Sequence, residues 1–463
     1  MNIIFKKKPY QCMLQIQDNI MKKTIIPLII MFSLGLTLNV KATETIKTAD
    51  ELGLMKGFPP PAGKKIDRSN AIIYPPFNRW SFQNMRKVFP TANIKSAREA
   101  IKLDRNIRGG IDNLLVKRKN GEAVNLDTWL HDSYTDSLVV IQGKSVVWER
   151  YMNGMHADQP HQMMSVTKSF AGLLGLLAIE DGKFKENDKI IKWIPELKKS
   201  SAFKDATFRQ VADMVNSMSF SEAYADPKSD IVEYGKVLGL IKAPDEEIPA
   251  NSIYEYLATL KKDNKNEHGE VFHYQTPKAD VVNWVVNRAT GKPFQDYIFE
   301  KLWSRLGTDG EAYVLLDNQG TLFAGGGLNA TPNDLARFAM MMLNNGRFNS
   351  QQVVPKSVIA KLAKGGSIKA FKKGPSMHGI RGDGHWSYRS QWWVRGTPGH
   401  EAFTAIGIHG QFIYIDLTRN VAIVKQSSLP ASSQDVDMTF NINAFDAIIE
   451  YLTQSQTLKE HDN

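Results

Sequence analysis

Ser165 and Lys168 stand three residues apart at the head of the apolar run Ser169-Phe170-Ala171-Gly172-Leu173-Leu174-Gly175-Leu176-Leu177-Ala178-Ile179. On a helix, positions i and i+3 share a face, so the serine hydroxyl and the lysine ammonium can meet. A serine hydroxyl is a weak nucleophile until a base takes its proton. A lysine in dry surroundings can lose its own proton and become that base. The helix start adds free backbone N–H groups and a partial positive charge beside the serine. Most Ser–Lys pairs at this spacing are solvated helix surface. Here the apolar run supplies the dry setting that the chemistry needs.

Two further segments carry groups of use to such a pair. Tyr274-Gln275-Thr276 lies within Val271-Phe272-His273-Tyr274-Gln275-Thr276-Pro277, just before a helical stretch. A phenol near Ser165 could relay the proton to a leaving group. The plain alternative is a core tyrosine. Ala405-Ile406-Gly407-Ile408-His409-Gly410-Gln411 leads into an apolar strand, and its two glycines permit close backbone approach. Such a segment could offer a backbone N–H to an oxyanion. By itself it reads as an ordinary β-turn.

These groups need a frame. Ser137-Leu138-Val139-Val140-Ile141 and Ser145 to Tyr151 flank Gly143-Lys144 and predict a hairpin. From about 180 to 345 the text is mostly helical. Thr207 to Val215 and Asp280 to Thr290 carry helical spacing, the latter closed by Gly291 and Pro293. Thr331 caps a helix that begins at Pro332. Strands return at Tyr388 to Arg395, Phe412 to Leu417 and Val421 to Lys425. Strands on both sides of a helical block predict an α+β fold. One sheet is built from both chain ends and flanked by helices, and an all-helical second lobe spans about 180–345. A cleft between the lobes is the natural place for a site. The expected division is 1–42 upstream extension and export signal, 43–130 N-terminal extension, 131–455 main domain and 456–463 polar tail.

Composition narrows the classes. Met21-Lys22-Lys23, the apolar stretch Ile25 to Leu36 and Val40-Lys41-Ala42 read as a secretory signal peptide with a cut after Ala42. The apolar stretch is short for a membrane span, so no stable membrane anchor is expected after cleavage. Residues 1–42 hold six basic residues and one acid, which leaves 52 basic and 47 acidic residues in the mature chain, a net charge of +5. That mild charge, without a long basic run, does not call for a nucleic-acid partner. The sole cysteine, Cys12, falls in the trimmed part, so the mature chain can form neither a disulfide nor a thiolate metal site. The ten histidines show no metal-ligand spacing. No metal and no cofactor are expected, and the localisation expected is periplasmic or secreted. The oligomeric state is not legible.

Taken in order, Ser165-Val166-Thr167-Lys168, Tyr274-Gln275-Thr276 and the Ala405–Gln411 segment resemble the serine β-lactamase and penicillin-recognising hydrolases. The signature there is S-x-x-K, then Y-x-N, then K-T-G. The resemblance covers most of residues 131–450 and includes Gly325-Gly326-Gly327-Leu328-Asn329-Ala330-Thr331. Within the family, the chain looks most like the 6-aminohexanoate-dimer hydrolase and esterase branch, through Gly57-Phe58-Pro59-Pro60-Pro61 and Gly407-Ile408-His409-Gly410-Gln411. The resemblance implies a β-lactamase/transpeptidase-like fold and an acyl-enzyme on Ser165, with Lys168 and Tyr274 sharing the base role. The backbone N–H groups of Ser165 and Ile408 would hold the oxyanion. A register one motif later would give that role to Gln411. Tyr224, in Ser221-Glu222-Ala223-Tyr224-Ala225-Asp226-Pro227, resembles a branch-specific tyrosine over the substrate; otherwise it is a solvated loop residue. His409 is a second candidate for substrate contact.

Two departures bear on substrate. Thr276 stands where the family has Asn, and no Lys-Thr-Gly occurs in the chain. The missing lysine removes a charge-assisted bond to a substrate carboxylate, on the order of 1.5–3 kcal/mol. A small amide or ester is therefore the expected substrate. β-Lactams or peptidoglycan stem peptides are the alternative, and a non-catalytic periplasmic binding protein is the reading from another class.

Overall fold

The computed structural model describes residues 46–461 apart from 73, 376–379, 381–383 and 433–437. Contacts divide the chain into two units, 1–45 and 46–463, and the second is described here. The export segment expected at 21–42, with its cut after Ala42, lies outside the described residues.

An eight-stranded sheet forms the centre. Its order is Trp386–Arg389, Trp392–Thr397, His400–Gly407, Gln411–Asp416, Val421–Ser427, Thr135–Gln142, Ser145–Tyr151 and Asp104–Arg105. All neighbours are antiparallel except the last pair. Alternation along the strands sends side chains into two cores. Val139, Ile141, Ile413 and Ile415 face one core, shared with the Val166–Glu180 and Pro332–Leu343 helices. Leu138, Val140, Phe412 and Tyr414 face the other, shared with Trp129 and the Met438–His461 helix. The fold class is the expected one: an antiparallel sheet flanked by helices, with a largely helical block between its two halves.

Residues Val166 to Ala178 of the Val166–Glu180 helix are all buried, which accounts for its largely apolar sequence. Gly172 makes one of its contacts possible, since a Cβ there would stand 1.9 Å from the Ser390 carbonyl oxygen. Gly175 likewise gives room to the Phe208 ring, 2.7 Å from where its Cβ would be. The Thr207 capping box, the Thr331 cap and the left-handed Gly291 at the end of the Pro277–Thr290 helix fall where the sequence places them.

Three elements differ from expectation. The single strand expected over Tyr388 to Arg395 is a hairpin. Ser390 and Gln391 both adopt positive φ, 45° and 66°, and turn the chain without the glycine that usually marks such a turn. The block 180–345 carries two short strands besides its helices, Ala312–Leu315 and Leu328–Ala330. They join Thr91–Ile94 and His161–Gln162 in a four-stranded antiparallel sheet. The polar end of the chain continues a helix that runs from Met438 to His461.

Residues 46–94 pack as an integral layer. Leu54, Ile66, Phe82 and Met85 form a third core with Met164, Tyr313 and Leu315. Buried polar bonds pin this layer beside Ser165. Arg79 pairs with Asp136 at 2.8 Å, and Asp136 also accepts from Ser428 and meets His161. Asn78 donates to the Ser428 and Leu429 carbonyls.

Candidate active site

Ser165 opens the long helix at a sharp turn. Met164 before it has φ of 48°, an uncommon conformation for a side chain other than glycine. Ser165 makes no side-chain capping bond, which leaves its Oγ for other partners. Lys168 Nζ donates to that Oγ at 2.7 Å and to the Gly325 carbonyl at 2.6 Å. Lys168 is 1% exposed, and burial brings its ammonium down to about 8, against the pull of the Glu222 and Asp280 carboxylates.

Tyr274 completes the cluster from the loop before the Pro277–Thr290 helix. Its ring stacks on Trp393, with centroids 5.4 Å apart, and lies 5.1 Å from Lys168 Nζ. Burial raises its phenol well above the usual range, and a hydrogen bond with Ser165 opposes that rise. The three groups expected to act together thus share one buried corner.

Thr276, in the place of the family's Asn, is held by Glu222. Its backbone N–H donates to Glu222 at 3.0 Å, and its hydroxyl donates to the same carboxylate. The Tyr224 hydroxyl donates to Glu222 at 2.7 Å, so Tyr224 is tied down in a half-buried position. Tyr224 and Thr276 both line a cavity of about 720 Å³ that opens onto Ser165.

The Ala405–Gln411 segment forms the end of a strand, a turn and the start of the next strand. Gly407 lets the strand approach the helix start, since a Cβ there would stand 2.5 Å from the Met163 carbonyl oxygen. Ile408 and His409 line the cavity. Gln411 pairs across the hairpin with Gly407 instead, and its buried amide donates to the His409 and Ser427 carbonyls. Of the two registers for an oxyanion donor, the one at Ile408 borders the cavity. His409 bonds through Nδ1 to the Leu429 carbonyl at 2.7 Å and packs edge-on against Phe82. Burial takes it down to about 4, so it is neutral at ordinary pH and offers no replacement for the missing lysine cation.

Sequence reading missed two carboxylates. Asp280 accepts from the Ala324 and Gly325 N–H groups and from the Tyr234 hydroxyl. It therefore fixes the glycine loop whose carbonyl holds Lys168. Burial raises its carboxyl, while three donors favour the ionised form. Glu222 accepts from Thr276, 54 positions away in sequence, and from Tyr224, two positions away. No local pattern marks either one, because the bonds that tie Asp280 to the glycine loop and Glu222 to Thr276 are long-range. Among the described residues, no group of three or more His, Cys, Asp or Glu side chains could hold a metal ion.

The chain is similar to several known proteins. The family model Beta-lactamase matches residues 130–445. The 6-aminohexanoate-dimer hydrolase of Paenarthrobacter ureafaciens is 32% identical over 356 residues, 77% of this chain and 86% of that protein. A solved structure from Bacillus anthracis, provisionally described as a 6-aminohexanoate-dimer hydrolase, matches with a TM-score of 0.75 at 26% identity. It covers 85% of this chain and 99% of its own. The octameric penicillin-binding protein homologue from Pyrococcus abyssi shares the fold, with a TM-score of 0.51, 17% identity and coverage of 71% and 76%.

Proposed function

The chain belongs to the beta-lactamase family and is a hydrolase related to 6-aminohexanoate-dimer hydrolase; from that premise we propose that it cleaves a small amide or ester through an acyl-enzyme on Ser165. The observation that carries the proposal is the 2.7 Å contact between Ser165 Oγ and a buried Lys168, with the Tyr274 phenol on the same hydroxyl. Lys168 and Tyr274 take the Ser165 proton as one coupled unit while Oγ attacks the carbonyl. The Ser165 and Ile408 N–H groups receive the oxyanion. Tyr274 returns the proton to the leaving group. Water then cleaves the acyl ester by the reverse relay, and no cofactor takes part.

Labelling with a fluorophosphonate probe, followed by turnover of p-nitrophenyl esters and short amides, tests this reading. Absence of label on Ser165 would sink it and favour a binding protein that keeps only the fold. A second reading, hydrolysis of β-lactams or stem peptides, is disfavoured by a neutral His409 and by Ala405-Ile406-Gly407 in the place of Lys-Thr-Gly. A chromogenic cephalosporin turned over faster than a p-nitrophenyl ester would reverse that preference.

Export belongs to the same proposal. The mature chain would begin at Thr43 in the periplasm or outside the cell. N-terminal sequencing of exported material that began at Met1 or Met21 would overturn it.

A further inference from the structure

A second cavity, of about 420 Å³, shares no lining residue with the one beside Ser165. The two lie toward opposite ends of the central sheet. Ser427 pairs with Thr135 at the end where Gln411 joins the Ser427 and His409 carbonyls. Val421 pairs with Gln142 at the other end, beside the Gly143-Lys144 turn. Three separate segments bring cations to this second cavity. Lys102 precedes the Asp104–Arg105 strand, and Lys144 sits in the turn before the Ser145–Tyr151 strand. Arg347 opens a short hairpin, Arg347–Phe348 with Gln351–Gln352. Asn349 and Ser350 turn it at φ of 43° and 65°, the positive values that suit a two-residue hairpin turn. All three cationic residues are exposed, and among the described residues none has an ion-pair partner. Arg347 gives one side-chain bond, to the Ser350 carbonyl at 3.1 Å, from a guanidinium with five N–H donors. One carboxylate shares the wall: Asp104 accepts from the Ser145 hydroxyl. The Pro332–Leu343 helix also ends here, and a helix C-terminus carries about half a negative charge. Asn344 Nδ2 already occupies its Met340 carbonyl and the Gly143 carbonyl. Three cations outweigh one carboxylate and a helix end, so the wall is positive. Buried Leu103, Met340 and Phe348 and half-buried Ile101 line the same cavity and make it apolar as well.

We propose that this cavity binds a small organic anion, a carboxylate carried on a short aliphatic body. The carboxylate accepts from Lys102, Lys144 and Arg347, which relieves the repulsion among three like charges gathered at one opening. The aliphatic body covers Leu103, Met340 and Phe348 and removes their surface from water. The volume is within the range of small-molecule sites, which combine apolar walls with a few convergent polar groups. Binding here does not depend on the hydrolase reading above, although the acid released by such a hydrolysis is of this chemical class.

Four probes test it on the intact protein: octanoate, octyltrimethylammonium, 1-octanol and inorganic phosphate. Brief acetylation of lysines, followed by peptide mass spectrometry, reads Lys102 and Lys144 one by one and is blind to anything bound beside Ser165. Octanoate should slow acetylation of both by about threefold at a free concentration twice its Kd, with lysines elsewhere on the surface unaffected. The other three probes should protect neither. The octanoate concentration that gives half-protection does not depend on how reactive each lysine is, so it can be compared between variants. Arg347→Gln should raise it by roughly threefold or more, and added salt should raise it too. Asp104→Asn keeps an acceptor for the Ser145 hydroxyl, removes the one negative charge on the wall, and should lower it. The wild-type arm stands even if a variant fails to fold. Octanoate that leaves Lys102 and Lys144 unprotected, or equal protection by any of the other three probes, would overturn the inference. So would a half-protection concentration that stays in place in Arg347→Gln or rises in Asp104→Asn.

Discussion

Two buried lysines near Tyr274 look alike by exposure and differ in every bond. Lys168 and Lys278 are 1% and 0% exposed, and burial lowers the proton affinity of both. Lys278 Nζ donates to three backbone carbonyls, those of Met214, Asn216 and His273. A neutral amine has two N–H groups and would leave one of those carbonyls without a donor. Lys278 is therefore built to stay charged and to tie two loops to the Pro277–Thr290 helix. Lys168 meets one carbonyl and one hydroxyl. Its neutral form keeps the Gly325 bond and turns its lone pair toward Ser165. The base role proposed for Lys168 fits a lysine whose acceptors are too few to demand the third proton, and burial alone does not separate it from Lys278.

The largest effects should come from breaking the Lys168 side of this contrast. Ser165→Ala should lower kcat/KM by roughly 10⁴-fold or more and abolish fluorophosphonate labelling. Ser165 makes no capping bond, so the urea midpoint should move little. Lys168→Arg keeps a charge but cannot release a proton near neutral pH, and should lose on the order of 10³-fold or more. Near-wild-type turnover in Lys168→Arg would remove the proposed base.

Tyr274→Phe comes next, because the stacked ring on Trp393 survives and one hydroxyl is lost. A drop on the order of 10²–10⁴ in kcat/KM is expected for a lost acid–base group. Combined with Lys168→Arg, it should add little to the poorer single variant, since groups that act as one unit lose their effect non-additively. Multiplicative losses would show that the two residues act in separate steps.

The Lys168 environment was half legible in the sequence. The Ser165–Lys168 spacing, the apolar helix, the Tyr274 loop and the Gly325 passage are local patterns, and the fold brings them together. The roles of Glu222 and Asp280 are not legible, because the bonds to Thr276 and to the glycine loop span 44 to 54 residues. The fold divides in the same way. The hairpin at Gly143-Lys144 and the helix caps at Thr207 and Thr331 follow from short-range chemistry. The Ser390-Gln391 turn lacks Gly, Asn or Pro, and its register comes from packing: Gln391 N–H donates to the Ala212 carbonyl and Ser390 N–H to Asp213. The helix from Met438 to His461 was hidden by its polar end, although Phe440, Phe445, Ile448 and Leu452 along it face the core.

Lys278 gives a smaller and different effect. Lys278→Met removes a charge that touches no reacting group and leaves the Met214, Asn216 and His273 carbonyls short of a donor. Stability should fall by about 1–3 kcal/mol, read as a lower urea midpoint. Activity should scale with the folded fraction, and fluorophosphonate should still label Ser165. Loss of labelling in fully folded Lys278→Met would put this lysine in the chemistry and erase the contrast with Lys168.

The smallest effect is the sharpest probe of which lysine titrates. With Lys168 brought down to about 8, acylation should rise with pH through that region as the base loses its proton. Burial keeps the Tyr274 phenol protonated well beyond it, and His409 is neutral from about 4 upward, so neither adds a limb near neutrality. The Glu222 carboxylate helps hold the proton on Lys168. Glu222→Gln removes that charge and keeps an acceptor for the Thr276 N–H, so the rising limb of kcat/KM should move to lower pH while the plateau changes little. The sign is the test. Removing a nearby negative charge can only make an ammonium more acidic, so a limb that stays in place or moves to higher pH would mean that the group observed is not Lys168.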